Sequence, residues 1–106
     1  MTEFTDYLHE LFADFGPIRT RKMFGGYGVF YEGVMFALVA NDTLYLKANA
    51  DTAPAFKALG LPQFEYARNN KPVKMAYYMA PAETLEDPQE MADWARLAYK
   101  VAAGGK

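Results

Sequence analysis

Apolar residues recur at helical spacing near both ends of this chain and at strand spacing in between. In Thr2–Asp14, Phe4, Tyr7, Leu8, Leu11 and Phe12 form one stripe that Phe15 extends. Thr2 is the expected N-cap, Glu3 and Asp6 suit the positive end of the helix dipole, and Gly16-Pro17 stops the helix. From Ile18 to Ala48 the period changes. Three apolar runs, Tyr27–Tyr31, Val34–Ala40 and Thr43–Ala48, are separated by Glu32-Gly33 and Asn41-Asp42, the pattern of an antiparallel meander with tight hairpins. Ile18–Phe24 adds either a short lead-in strand or an ordered loop.

Thr52–Leu59 reads as a short helix, with Thr52 as cap, Pro54 in the first turn and Gly60 at the end. Gln63–Arg68 and Pro72–Met79 then form a second hairpin around Asn69-Asn70-Lys71, and Val73, Met75, Tyr77 and Met79 are its expected core face. Asp87-Pro88-Gln89-Glu90 opens the last helix: an Asp N-cap, Pro at the first helical position and Glu at the third. Met91, Trp94, Leu97, Ala98 and Val101 are its expected buried stripe. The predicted order is helix, three strands, helix, two strands, helix, an α+β domain occupying all 106 residues.

The Val34–Ala40 run raises a packing problem. Both of its alternating sets are apolar, Val34, Phe36, Leu38 and Ala40 on one side and Met35, Ala37 and Val39 on the other. Three helices cover one face of a small antiparallel sheet well and the other poorly. The second face is shielded either by the chain's own Tyr and Met side chains or by a partner or second copy. A homodimer through the sheet is expected slightly ahead of a monomer.

Composition narrows the function. Hydrophobic residues make up 52% of the chain, enough for a core, and the net charge of −2 argues against a chain-wide attraction to nucleic acid. There is no long apolar run and no basic, apolar leader after Met1, so a cytoplasmic location without a membrane partner is expected. Cysteine and serine are absent and His9 is the single histidine, so one chain assembles neither a Ser-His-Asp nor a Cys-His centre, nor a Cys/His zinc site. His9 falls between the apolar positions of the first helix, where a solvated histidine is expected. No catalytic residues, cofactor or metal are assigned, and a small-ligand or enzymatic pocket lined by Tyr, Met and Arg stands as a further alternative to a binding module.

Two surface features are left as candidates for binding. Gly25-Gly26-Tyr27-Gly28 precedes a strand and lacks the Lys-Ser/Thr of a phosphate-cradling loop, so positive φ, a bulge or a close backbone approach explains it better. The basic clusters are Arg19-Thr20-Arg21-Lys22 and Arg68 with Lys71 and Lys74. The first runs into Met23-Phe24 and suits either an acidic protein surface or, weakly and without sequence preference, phosphates and bases. Arg19, Arg21 and Lys22 by charge, Phe24 by anchoring, and Gly25 and Gly26 by backbone shape form the candidate partner-binding set.

The run Arg21-Lys22-Met23-Phe24-Gly25-Gly26-Tyr27-Gly28-Val29-Phe30 resembles the N-terminal domain of the TfoX/Sxy family. So do Gly33, Met35-Phe36-Ala37-Leu38, Asp42, Leu44-Tyr45-Leu46-Lys47 and Tyr77-Tyr78 before Pro81. The resemblance covers roughly residues 5 to 100. It implies a two-layer, secretion-chaperone-like fold with the order α-β-β-β-α-β-β-α. It also implies a cytoplasmic bacterial regulator of natural competence, of a kind acting with the transcription machinery beside the cyclic-AMP receptor protein. Longer members carry a second, C-terminal helical domain, and this chain is expected to be the N-terminal domain standing alone.

Overall fold

A computed structural model describes residues 3–23 and 25–104. The elements in chain order are α1 (Glu3–Leu11), β1 (Arg19–Met23), β2 (Gly26–Tyr31), β3 (Val34–Ala40), β4 (Thr43–Lys47), α2 (Ala53–Ala58), β5 (Gln63–Arg68), β6 (Lys71–Met79) and α3 (Pro88–Ala102). A 3-10 turn at Ala82–Leu85 leads into α3. The fold is α+β in the predicted order, and the segment ahead of the meander is a strand, β1. All six strands form one antiparallel sheet in the order β1-β2-β3-β4-β6-β5.

The hairpins turn where the sequence punctuates them. Glu32 and Gly33 (φ 48° and 81°), Asn41 and Asp42 (51° and 56°), and Asn69 and Asn70 (53° and 64°) all take left-handed conformations. Two consecutive positive φ values match the right-handed twist of the flanking strands, and Asn, Asp and Gly tolerate them best. From β4 the chain crosses through α2, lays β5 at the far edge, and returns along β6, which pairs with β4 through Tyr45↔Met79 and Lys47↔Tyr77.

The helices share one face of the sheet. Leu8, Leu11 and Phe12, Phe56 of α2, and Met91, Ala95 and Ala98 of α3 bury against Val29, Phe36, Val39, Leu44, Leu46 and Tyr78. Phe12 and Phe36 meet edge-on at 5.4 Å, and Phe56 stacks on Tyr78 at 5.4 Å. Such ring pairs add about 0.5–1.5 kcal/mol beyond their burial. His9 is exposed on α1, as its position in the apolar pattern predicts.

Several local expectations are corrected. The regular span of α1 ends at Leu11, with the Phe12 N–H still bonding the Leu8 carbonyl, and residues 12–15 form a turn in which the Phe15 and Gly16 N–H groups both bond the Phe12 carbonyl. The expected cap Thr2 lies outside the described residues. Thr52 makes no side-chain cap bond to α2. Asn49 organises the entry to α2 instead. Its Oδ1 accepts from the N–H groups of Asp51 and Thr52 (2.9 and 3.0 Å), while Thr52 Oγ1 accepts from the Asn49 N–H. In α3 the buried line is Met91, Ala92, Ala95 and Ala98, Trp94 packs at its border, and Leu97 is 37% exposed. The sheet-facing line of α3 runs through Ala92, Ala95 and Ala98, and Leu97 falls outside it.

Two corrections concern the sheet. A bulge in β3 opposite the Val29/Phe30 step makes Phe36 an extra residue, so Phe36, Ala37 and Val39 all face the helices while Met35, Leu38 and Ala40 face away. In β6 the helices take Tyr78, and the run expected as core face (Val73, Met75, Tyr77 and Met79) lies on the opposite side. That side carries its own cluster. Leu38, Ala40, Phe64 and Tyr77 are buried there under Met35, Tyr45, Tyr66 and Met75, with the Tyr45 and Phe64 rings 4.9 Å apart. The chain's own aromatic and Met side chains thus close much of the second face.

Candidate functional site

β1 is an edge strand. It pairs with β2 without interruption from Arg19↔Phe30 to Met23↔Gly26. Buried Ile18 anchors its start beneath the helices. Strand alternation then divides its side chains. Arg19, Arg21 and Met23 share the helix-free face with Phe30 and Met35, and Thr20 and Lys22 lie on the helix side with Val29 and Tyr27.

Arg19, Arg21 and Lys22 are exposed, and none of them makes an ion pair among the described residues. The Arg21 guanidinium carbon sits 5.9 Å from the centre of the Phe30 ring. An exposed cation–π contact of this kind contributes about 0.5–1 kcal/mol, enough to bias the side chain without immobilising it. Between Asp14 and Glu32 the sequence has no carboxylate, but in space Glu32 shares a depression with Arg19 and Asp42 shares one with Lys22. Lys22 borders a shallow depression of ≈ 270 Å³ with Gly25, Gly26, Tyr27, Val39, Asn41 and Asp42.

The glycines shape the backbone in different ways. Gly25 has φ +74°, with nothing within 4 Å of where a side chain would begin. Gly26 has an ordinary backbone conformation, but a Cβ there would run into the Val39 carbonyl oxygen. At Gly28 a Cβ would press on the thioether of Met23, the Phe30 ring (3.0 Å) and the Met35 sulfur (3.2 Å). Its absence lets these three side chains meet over the strand as a low apolar floor next to Arg21.

Of the candidate set, Arg19, Arg21, Lys22, Gly25 and Gly26 therefore gather along β1 and the start of β2, with the arginines and the lysine on opposite faces. Phe24 lies outside the described residues. Met23, Gly28, Phe30 and Met35 were missed as a group; once β1 is paired with β2, the register alone brings them beside Arg21. The second basic cluster, with Lys71 and Lys74, belongs to the β5–β6 hairpin at the far end of the strand order. The two clusters do not form one continuous track. Among the described residues no group of three His, Asp or Glu side chains is placed to hold a metal ion, and no helix is long and apolar enough to cross a membrane.

The family model for the TfoX N-terminal domain matches residues 10–102. The chain belongs to the TfoX N-terminal domain family. It is also 30% identical over 102 residues to a protein of Aliivibrio fischeri (strain ATCC 700601 / ES114) named DNA transformation protein TfoX1. That match takes in 86% of this chain and 49% of the relative, so the chain spans about half the relative's length. The matched region contains every described residue of the β1 edge and its apolar floor.

Proposed function

We propose that this TfoX-family domain is a non-enzymatic regulatory module of DNA transformation, which acts in the bacterial cytoplasm by binding another protein, part of the transcription machinery. One observation carries the reading: three exposed cations, without ion-pair partners among the described residues, line a regular edge strand beside a Met and Phe floor. Arginine and methionine next to an aromatic ring are enriched at protein interfaces. The relative's name, DNA transformation protein, supports the process. The separation of the two basic clusters favours a protein over a nucleic acid, which rewards a continuous charged groove.

The test pairs Arg21→Glu with Lys22→Glu in a tagged copy expressed in the native host. Capture of the partner is expected to disappear while the thermal midpoint stays nearly unchanged, because both side chains are exposed. Equal capture by the parent and the double variant would overturn the assignment.

A further inference from the structure

We propose that the helix-free face of the sheet, over β2 and β3, takes an acidic amphipathic α-helix of the partner protein. This rests on the reading above and names the chemistry of the partner.

The register places the floor of this site. Across the sheet it aligns Arg21 with Gly28, Leu38 and Tyr45, and Arg19 with Phe30 and Met35. β2 and β3 are interior strands, so their N–H and C=O groups are bonded to neighbours on both sides. An extended segment laid on such a face would bury its own backbone groups without partners, whereas a helix bonds its own. The width fits as well. β1 and β4 stand three strand spacings apart, about 14 Å, and a helix with its side chains is about 10–12 Å across. Gly28 has no side chain, and Met23, Met35 and Phe30 meet over it as an adaptable apolar bed.

Charge selects the occupant. Arg19 and Arg21 flank the bed on the β1 side; Lys47, one step beyond Tyr45 on the same face of β4, flanks it on the other. Glu32 shares a depression with Arg19, so Arg21 and Lys47 are the main cations left for a partner. Neither makes an ion pair among the described residues. Among the described strands Glu65 alone is acidic, and it belongs to the alternating set opposite Phe64 and Tyr66. A second copy packed face to face would bring like charges together. A nucleic acid would need open rings on which to stack its bases. Here the Tyr45 and Phe64 rings tilt together at 4.9 Å, Arg21 lies over Phe30 and Lys47 over Tyr77, so these rings are already engaged. The helix that fits carries an apolar stripe with carboxylates along both of its borders.

The probe is a fluorescent synthetic peptide with Leu at helical spacing on one side, Glu along both borders of that stripe, and Ala and Gln elsewhere. It is expected to bind the wild-type chain at low salt and to gain helicity, read by circular dichroism as the complex forms. A scrambled peptide of the same composition is expected to bind at least about tenfold more weakly. Arg21→Gln with Lys47→Gln removes both flanking charges and is expected to weaken binding by about tenfold. Lys57→Gln with Lys100→Gln removes the same charge from exposed positions of α2 and α3 and leaves binding nearly unchanged. Equal losses in the two double variants overturn this face as the site. Binding without a gain in helicity overturns the helix, and so does equal binding of the scrambled peptide. No binding by the parent peptide overturns the whole proposal. A single-stranded DNA oligomer that displaces the peptide and needs the same two cations overturns the choice of partner. None of these results touches capture of the native partner, whose insensitivity to charge reversal would instead defeat the underlying reading.

Discussion

Phe36 and Ala37 are consecutive in β3, yet both face the helices. The bulge they form releases Leu38 to the helix-free side, where it is 1% exposed. Leu38 is thus as deeply buried as the residues beneath the helices, although no helix covers it. Leu38→Ala is expected to destabilise the domain by about 2–5 kcal/mol, the range for a truncated core leucine. Urea unfolding measures this; a loss below about 1 kcal/mol would mean that the second cluster is not a packed core.

Adjacent glycines at the β1–β2 connection predict unlike outcomes. Gly25→Ala meets no neighbour and carries only the strain of φ +74°, about 1 kcal/mol. Gly26→Ala drives a methyl group into the Val39 carbonyl, a backbone atom that cannot rotate aside, and is expected to lose about 3 kcal/mol or fail to fold. Thermal denaturation of the two variants distinguishes strain from collision.

Much of the fold was legible because turn chemistry and capping are local. The Asn and Gly pairs, the Asp87 cap and the alternation of Leu44 and Leu46 with Tyr45 and Lys47 each follow from neighbours in sequence. What was illegible depends on distant partners. When every residue from Val34 to Ala40 is apolar, alternation carries no phase, so the bulge at Phe36 leaves no trace. In β6 one alternating set is uniformly apolar and the other contains Tyr78; only the docking of α2, through Phe56 on Tyr78, decides which set meets the helices. The candidate edge was legible as a basic cluster but not as an edge, since strand order is set by the crossover through α2.

Burial pushes the Tyr77 phenol above its ordinary value of 10.0. The unfolded chain releases this proton at the ordinary value while the folded chain keeps it. The stability present below that pH is therefore lost as pH rises towards the higher folded value. Tyr77→Phe removes the ionisation and keeps the ring that Lys47 Nζ approaches at 5.0 Å from the centroid. The variant is expected to lose less stability than the parent between about pH 9 and pH 11. Tyr31, raised by its hydrogen bond to Glu32 and by that carboxylate's charge, is common to both proteins and cancels in the comparison. Parallel stability profiles across that range would contradict the expectation.

Asp87 holds the first turn of α3 by accepting from the Gln89 N–H at 2.9 Å, with the Glu90 N–H at 3.5 Å. Asp87→Ala is expected to cost about 1 kcal/mol, and Asp87→Asn much less, since a side-chain oxygen remains. Chemical denaturation of both variants checks the difference.

The strand order has a consequence for biosynthesis. β6 occupies the slot between β4 and β5, yet it is made after both of them. A nascent chain emerging from the ribosome can zip the first four strands as neighbours, but the outer rim of β4 stays bare until Met79 has been delivered. Closure of this domain is a late insertion, and any product truncated ahead of β6 carries a sticky rim in place of a finished sheet.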